Sequence, residues 1–173
     1  MTGDVSGRRS SLLSLRGMDL LTPTEMELRE AIRDYDSSLN AAVWRLMENA
    51  DARAVITTLA DSGLIMFSRL ADADGAGWRT RVAGEHIPCL EDRPIDTLGC
   101  GDALLASASL ALAAGSTLAQ ASFIGAVAAA VEAAVLGNVT VTKSNLQSRL
   151  HEVAGWHVTV RTNIAPKSTP MKA

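Results

Sequence analysis

Apolar positions along the chain fall into blocks with two different periods. Leu28, Ala31, Ile32 and Tyr35 share one face at helical spacing, after a Thr22-Pro23 step at which the proline is placed to open a helix. Asp36-Ser37-Ser38 breaks the pattern and recaps the chain, and Leu39, Val43, Leu46 and Met47 define a second amphipathic helix. Ala54 to Thr58 reads as a strand, Ala60 to Gly63 as a turn and Leu64 to Phe67 as a returning strand. A loop over 71–77 then precedes an alternating stretch from Trp78 to Ala83, read as another strand, and Glu85 to Pro94 leads onward.

The second half is dominated by helix. Ala103 to Gly115 carries no charge, which predicts a buried helix ended by the glycine, with Ser116 or Thr117 capping the next one. Leu118, Ala121, Ser122 and Gly125 form a small-residue face suited to close helix packing. Ser144 is placed to cap a last helix through Leu146, Leu150 and Val153, Trp156 to Val160 looks strand-like, and residues 163–173 read as a flexible tail. Residues 1–16, rich in Ser, Gly and Arg, read as a loose leader, with Leu12, Leu13 and Leu15 as the remnant of a helix or strand the alternative. These elements over residues 17–162 read as one domain.

Composition narrows the partners. At 173 residues and 47% hydrophobic, the chain has enough material for a core. A net charge of −3 without a basic cluster gives no footprint for a nucleic-acid backbone. The run from Thr117 to Leu136 approaches the length of a membrane span, but it carries Gln120 and Glu132 among small side chains, so a buried helix is expected and no membrane partner. With Cys89 and Cys100 alone there is no disulfide framework, and a reducing, cytoplasmic location is expected. His86, His151 and His157 stand far apart without ligand-spaced companions, so no structural zinc site is expected.

The candidate chemistry lies in Asp96-Thr97-Leu98-Gly99-Cys100-Gly101-Asp102, which feeds the uncharged helix. The first amides of a helix lack internal partners and sit at the positive end of its dipole, so a glycine-rich entry makes an anion cradle. Asp102 at its mouth is placed to take a proton from an attacking hydroxyl. An acid after Gly-x-Gly also serves as an ordinary helix cap, so the loop alone leaves both readings open.

This segment resembles the C-terminal signature of the ribokinase-like, or PfkB, family of carbohydrate and nucleoside kinases, Asp-Thr-x-Gly-Ala/Cys-Gly-Asp, in the cysteine form found in heptose-phosphate kinase members. Thr22-Pro23-Thr24-Glu25-Met26-Glu27 is similar to the family's Thr-Pro-Asn-x-x-Glu, and Thr57 to Gly63 resembles its Val-Thr-Leu-Gly-x-x-Gly turn. The resemblance implies a three-layer α/β/α sandwich of which this chain holds the C-terminal portion, without the first strands, the lid and most of the sugar site. It implies Asp102 as catalytic base, Gly99, Cys100 and Gly101 as anion hole, and Thr58, Gly63 and Gly137 beside the nucleotide. Glu27 would order Mg2+ near the ATP phosphates, and Asp96 and Thr97 would flank a monovalent cation such as K+.

The same resemblance implies ATP-dependent phosphoryl transfer to a hydroxyl of a sugar or sugar phosphate. The alternative is a truncated, non-catalytic relative that binds nucleotide or serves as an interaction subunit. Two departures favour that alternative: Thr24 stands where the family has Asn, and Ala60 where it has Gly. A half-sheet leaves an unpaired edge, so a homodimer or a partner chain supplying the remaining half is expected. An NAD-binding Rossmann reading fails, because its glycine fingerprint belongs after the first strand, not past mid-chain.

Overall fold

The computed structural model describes residues 1–4, 11–70 and 82–163, with side chains placed as far as Ala154. Five strands, β1 (Thr2–Gly3), β2 (Leu20–Leu21), β3 (Ala54–Thr58), β4 (Leu64–Arg69) and β5 (Val82–Ile87), lie in the order β1-β2-β3-β4-β5. β1, β2 and β3 run parallel, and β4 and β5 are antiparallel additions. The strands Trp78–Ala83 and Leu64–Phe67 expected from alternation are corrected in extent. β4 runs to Arg69, and β5 reaches Ile87 because Leu64 pairs with Ile87 at its far end, while 78–81 and the expected 71–77 loop lie outside the described residues.

Helices cover both faces, giving the expected α/β/α layering. On one face α1 (Glu25–Ile32) and α2 (Leu39–Ala50) enclose a core of Leu21, Leu28, Val43, Leu46, Met47, Val55 and Phe67. On the other, α3 (Cys100–Ala113) and α4 (Leu118–Ala133) pack on Leu20, Ala54, Ile56, Leu64 and Met66. Neighbours along a strand, such as Leu20 and Leu21 or Val55 and Ile56, go to opposite cores, as the two-residue period requires. That is why β3 is buried continuously from Ala54 to Thr57 rather than on alternate residues. α5 (Lys143–Asn163) packs on α4.

Several local expectations are adjusted. Pro23 does not begin α1: Thr24 is its N-cap, and the Pro23 carbonyl instead accepts the Thr58 amide at 3.0 Å, tying the helix entry to the end of β3. Tyr35 lies beyond the helix and is exposed. α5 is entered through Thr142, whose hydroxyl accepts the Asn145 amide at 3.2 Å, rather than through Ser144. It continues to Asn163, so the strand-like stretch at 156–160 is helical. At the other end of the chain, where a leader is expected, Thr2–Gly3 pairs with Leu20–Leu21 and Leu12 is 2% exposed in the first core. Of the two caps expected for α4, Ser116 or Thr117, it is Thr117 that serves, closing a reciprocal capping box with Gln120.

The β3–β4 turn carries measurable strain. Ala60 sits at φ 49°, the left-handed region in which a Cβ is penalised. Replacing Ala60 by Gly is expected to raise stability by about 1 kcal/mol, the penalty relieved less the extra chain entropy. Equilibrium urea unfolding checks this, and an unchanged or lower midpoint would show that the turn tolerates the methyl.

Candidate functional site

The signature loop has no strand or helix of its own and is held by its neighbours. The Ala133 carbonyl at the end of α4 accepts the Ile95 amide at 2.7 Å and the Asp96 amide at 3.3 Å. Asp96 then uses both carboxylate oxygens, accepting from the Leu98 amide at 3.0 Å and the Gly137 amide at 3.0 Å. Those amides hold its carboxyl below the ordinary carboxylate range.

Gly99 caps α3 at φ 87°, a conformation that disfavours any side chain. A Cβ there would also stand 3.1 Å from the Asn138 side chain and from Glu132 Oε1. Helix α3 begins at Cys100 rather than at Ala103, so the whole Cys100-Gly101-Asp102 segment forms its first turn. The Cys100 amide donates to the Thr97 carbonyl at 3.3 Å, whereas the Gly101 and Asp102 amides have no acceptor among the described residues. The space above Gly101 is open. Burial, Glu132 and Asp96 together push the Cys100 thiol up, so it stays protonated near neutrality.

A cavity of about 800 Å³ opens in front of this turn. Thr58, Gly63, Thr97, Cys100 and Gly101 line it, which brings five of the sequence-selected residues together. Gly63 admits no substitute: a Cβ would lie 2.2 Å from the Ile87 carbonyl oxygen, because β5 crosses directly against the turn. Asp102 is exposed on the first turn of α3, and Asp102, Gly99, Asp96, Gly137 and Glu27 stand outside the cavity wall. Glu27 Oε2 accepts both the amide and the hydroxyl of Thr24 at 2.8 Å, completing a capping box. The Thr24 substitution therefore creates a local network with Glu27 instead of merely removing one.

Two contributors were not singled out from the sequence. Arg149 of α5 donates to Glu91 at 2.9 Å and to the Leu90 carbonyl, fastening the 88–91 segment that walls the cavity. Glu132 is 2% exposed near the end of α4, and its Oε1 accepts the Val139 amide at 2.8 Å. Its signal was present in the sequence: it is the only ionisable residue between Asp102 and Lys143. Among the described residues no group of three His, Cys, Asp or Glu side chains is arranged to hold a metal, and no helix is long and apolar enough to cross a membrane.

Comparison with known proteins agrees with this arrangement. Residues 4–144 match the pfkB family carbohydrate kinase model. The bifunctional protein HldE of Geobacter sulfurreducens is 32% identical over 150 residues, covering 84% of this chain and 28% of that protein. The Geobacter metallireducens HldE is 35% identical over 135 residues, 76% of this chain and 25% of its own length. Among solved structures, Arabidopsis thaliana ribokinase complexed with ribose and ATP superposes with TM-score 0.71 at 19% identity, over 86% of this chain and 46% of the other. Escherichia coli phosphofructokinase-2 in complex with substrates and products gives TM-score 0.66 at 15% identity, over 83% and 43%. The chain thus spans less than a third of its HldE relatives and less than half of these kinase structures. With the family model covering residues 4–144 and these HldE relatives more than 30% identical over three quarters or more of the chain, this chain belongs to the pfkB family of carbohydrate kinases.

Proposed function

We propose that the chain carries the phosphoryl-transfer part of an ATP-dependent kinase acting on a hydroxyl of a sugar or sugar phosphate. The observation that supports this most is the pair of unclaimed amides at Gly101 and Asp102, which sit at the positive end of α3 beside an open cavity. Bound ATP would supply the transferable γ-phosphoryl group, and Mg2+ and a monovalent cation would spread its charge. Gly101 and its neighbours donate to the phosphoryl oxygens as charge moves onto them. The Asp102 carboxylate accepts the proton of the acceptor hydroxyl while that oxygen bonds to phosphorus and the bond to the ADP leaving group breaks.

The residues present fit these groups unequally. Thr58 and Gly63 border the cavity where a nucleotide would lie. Glu27 commits one oxygen to Thr24, and its other oxygen has no partner among the described residues, enough for a water-mediated role because Mg2+ usually keeps several waters. Asp96 has its oxygens on two amides and Thr97 borders the cavity, so a K+ ion there would share Asp96 with the loops it orders.

A non-catalytic reading keeps two specific supports: Glu27 is drawn into the capping box and Ala60 strains the nucleotide turn. A partner is proposed on separate grounds. β1 ends the sheet, and α3 exposes Asp102, Ala106, Leu110 and Ala113 on one side, with Leu110 72% exposed and nothing charged beyond Asp102. Such a stripe and edge suit a second copy or a chain supplying the remaining part of the kinase fold.

Three outcomes follow. Asp102→Asn is expected to lower turnover by about a hundredfold or more in a coupled ADP-release assay over a sugar panel, with unfolding unchanged, and parent-like turnover would remove the base assignment. Titration calorimetry with ATP and Mg2+ is expected to show saturable binding; heat without turnover favours the non-catalytic reading, and no heat removes nucleotide binding altogether. Light scattering at micromolar concentration is expected to give a mass above the monomer that Leu110→Lys reduces, whereas a folded monomer would exclude self-association.

A further inference from the structure

Glu132 is a buried acid and the one charged residue of α4, and the chemistry proposed above does not use it. Burying a carboxylate is costly unless it is well paired, so its contacts carry weight. Oε1 accepts the Val139 amide at 2.8 Å and lies 3.1 Å from the position a Gly99 Cβ would take. It therefore touches both the 137–139 loop and the residue that caps α3. The adjacent residue, Ala133, accepts the Ile95 and Asp96 amides, and Asp96 in turn accepts the Gly137 amide. One turn of α4 thus holds the signature from below while two carboxylates pull the 137–139 loop toward it.

We propose that Glu132 is a positioning residue for the anion cradle: by tying the 137–139 loop, through the Val139 amide, to the Gly99 cap it sets the angle at which α3 starts, and hence where the Gly101 and Asp102 amides point. The role is indirect, since Glu132 does not line the cavity. Its consequence for ATP rests on the kinase reading, but its consequence for loop order does not. Asn138, whose side chain also borders the Gly99 position, is carried in the same loop and moves with it.

The test uses the full chain and two readouts. Amide hydrogen exchange followed by NMR reports loop order, and calorimetry with ATP and Mg2+ reports the cradle. Glu132→Gln keeps an acceptor at the same reach and is expected to leave both within about threefold of the parent. Glu132→Ala is expected to speed exchange at the hydrogen-bonded amides of Val139, Gly137 and Cys100 by about tenfold, the loss of one hydrogen bond to a charged acceptor, and to weaken ATP comparably. Strand amides in β3 and β4 should change far less. Should Glu132→Ala fail to fold, Glu132→Asp withdraws the carboxylate by one methylene and is expected to speed exchange at the same three amides. Parent-like exchange there in either variant overturns the proposal, as does an equal increase across the sheet, which marks a merely structural role. A parent that binds no ATP defeats the kinase reading while the exchange readout still decides the role of Glu132.

Discussion

Everything at the candidate site hangs on the last turn of α4. The segment from Ile95 to Gly99 has no periodic backbone bonding, and its place is fixed by the Ala133 carbonyl below and by the Asp96 carboxylate reaching to Gly137. That turn can serve as an anchor only because α3 and α4 pack closely. Gly125 makes the approach possible, since a Cβ there would stand 3.0 Å from the Leu104 carbonyl oxygen. Small residues along α4 thus act at a distance on the geometry of the cradle, through helix spacing rather than contact.

The opposite wall of the cavity is fixed by the sheet. Pro23 and Thr58 join the entry of α1 to the end of β3, and Gly63 lies flat against the Ile87 to Cys89 backbone. Arg149 closes the outer side by gripping Glu91 and Leu90. Two layers that meet nowhere else in sequence are therefore brought to one opening, with the amide-bearing end of α3 on one side and the β3–β4 turn on the other.

What could be read from the residues alone was what local rules decide. The β3–β4 hairpin, the Thr117 cap, the breaks at Ser38 and Gly115 and the signature itself each carry their cause within a few neighbours. What escaped was set by distant partners. β5 extends through Glu85 and His86 because β4 offers a ladder, although those side chains do not announce a strand. Leu12 is buried because α1 and α2 cover it, which the Leu12, Leu13 and Leu15 cluster in a Ser- and Arg-rich stretch could not decide alone. Thr24 looked like a lost polar contact, yet its hydroxyl and Glu27 satisfy each other. Glu132 was noticed only as an obstacle to a membrane span, because nothing nearby in sequence hints that Val139 returns to it.

The contiguity of the two halves has a kinetic meaning. β3, β4 and β5 form a meander of successive neighbours, and α3 and α4 form a helical hairpin, so each closes short loops and can organise by itself. The loop from Pro88 to Gly99 joins them, and its bonds to Ala133 and Gly137 form once the α3–α4 hairpin is closed. The turn that opens α3 therefore owes its place to contacts made across that hairpin and not to its own backbone pattern.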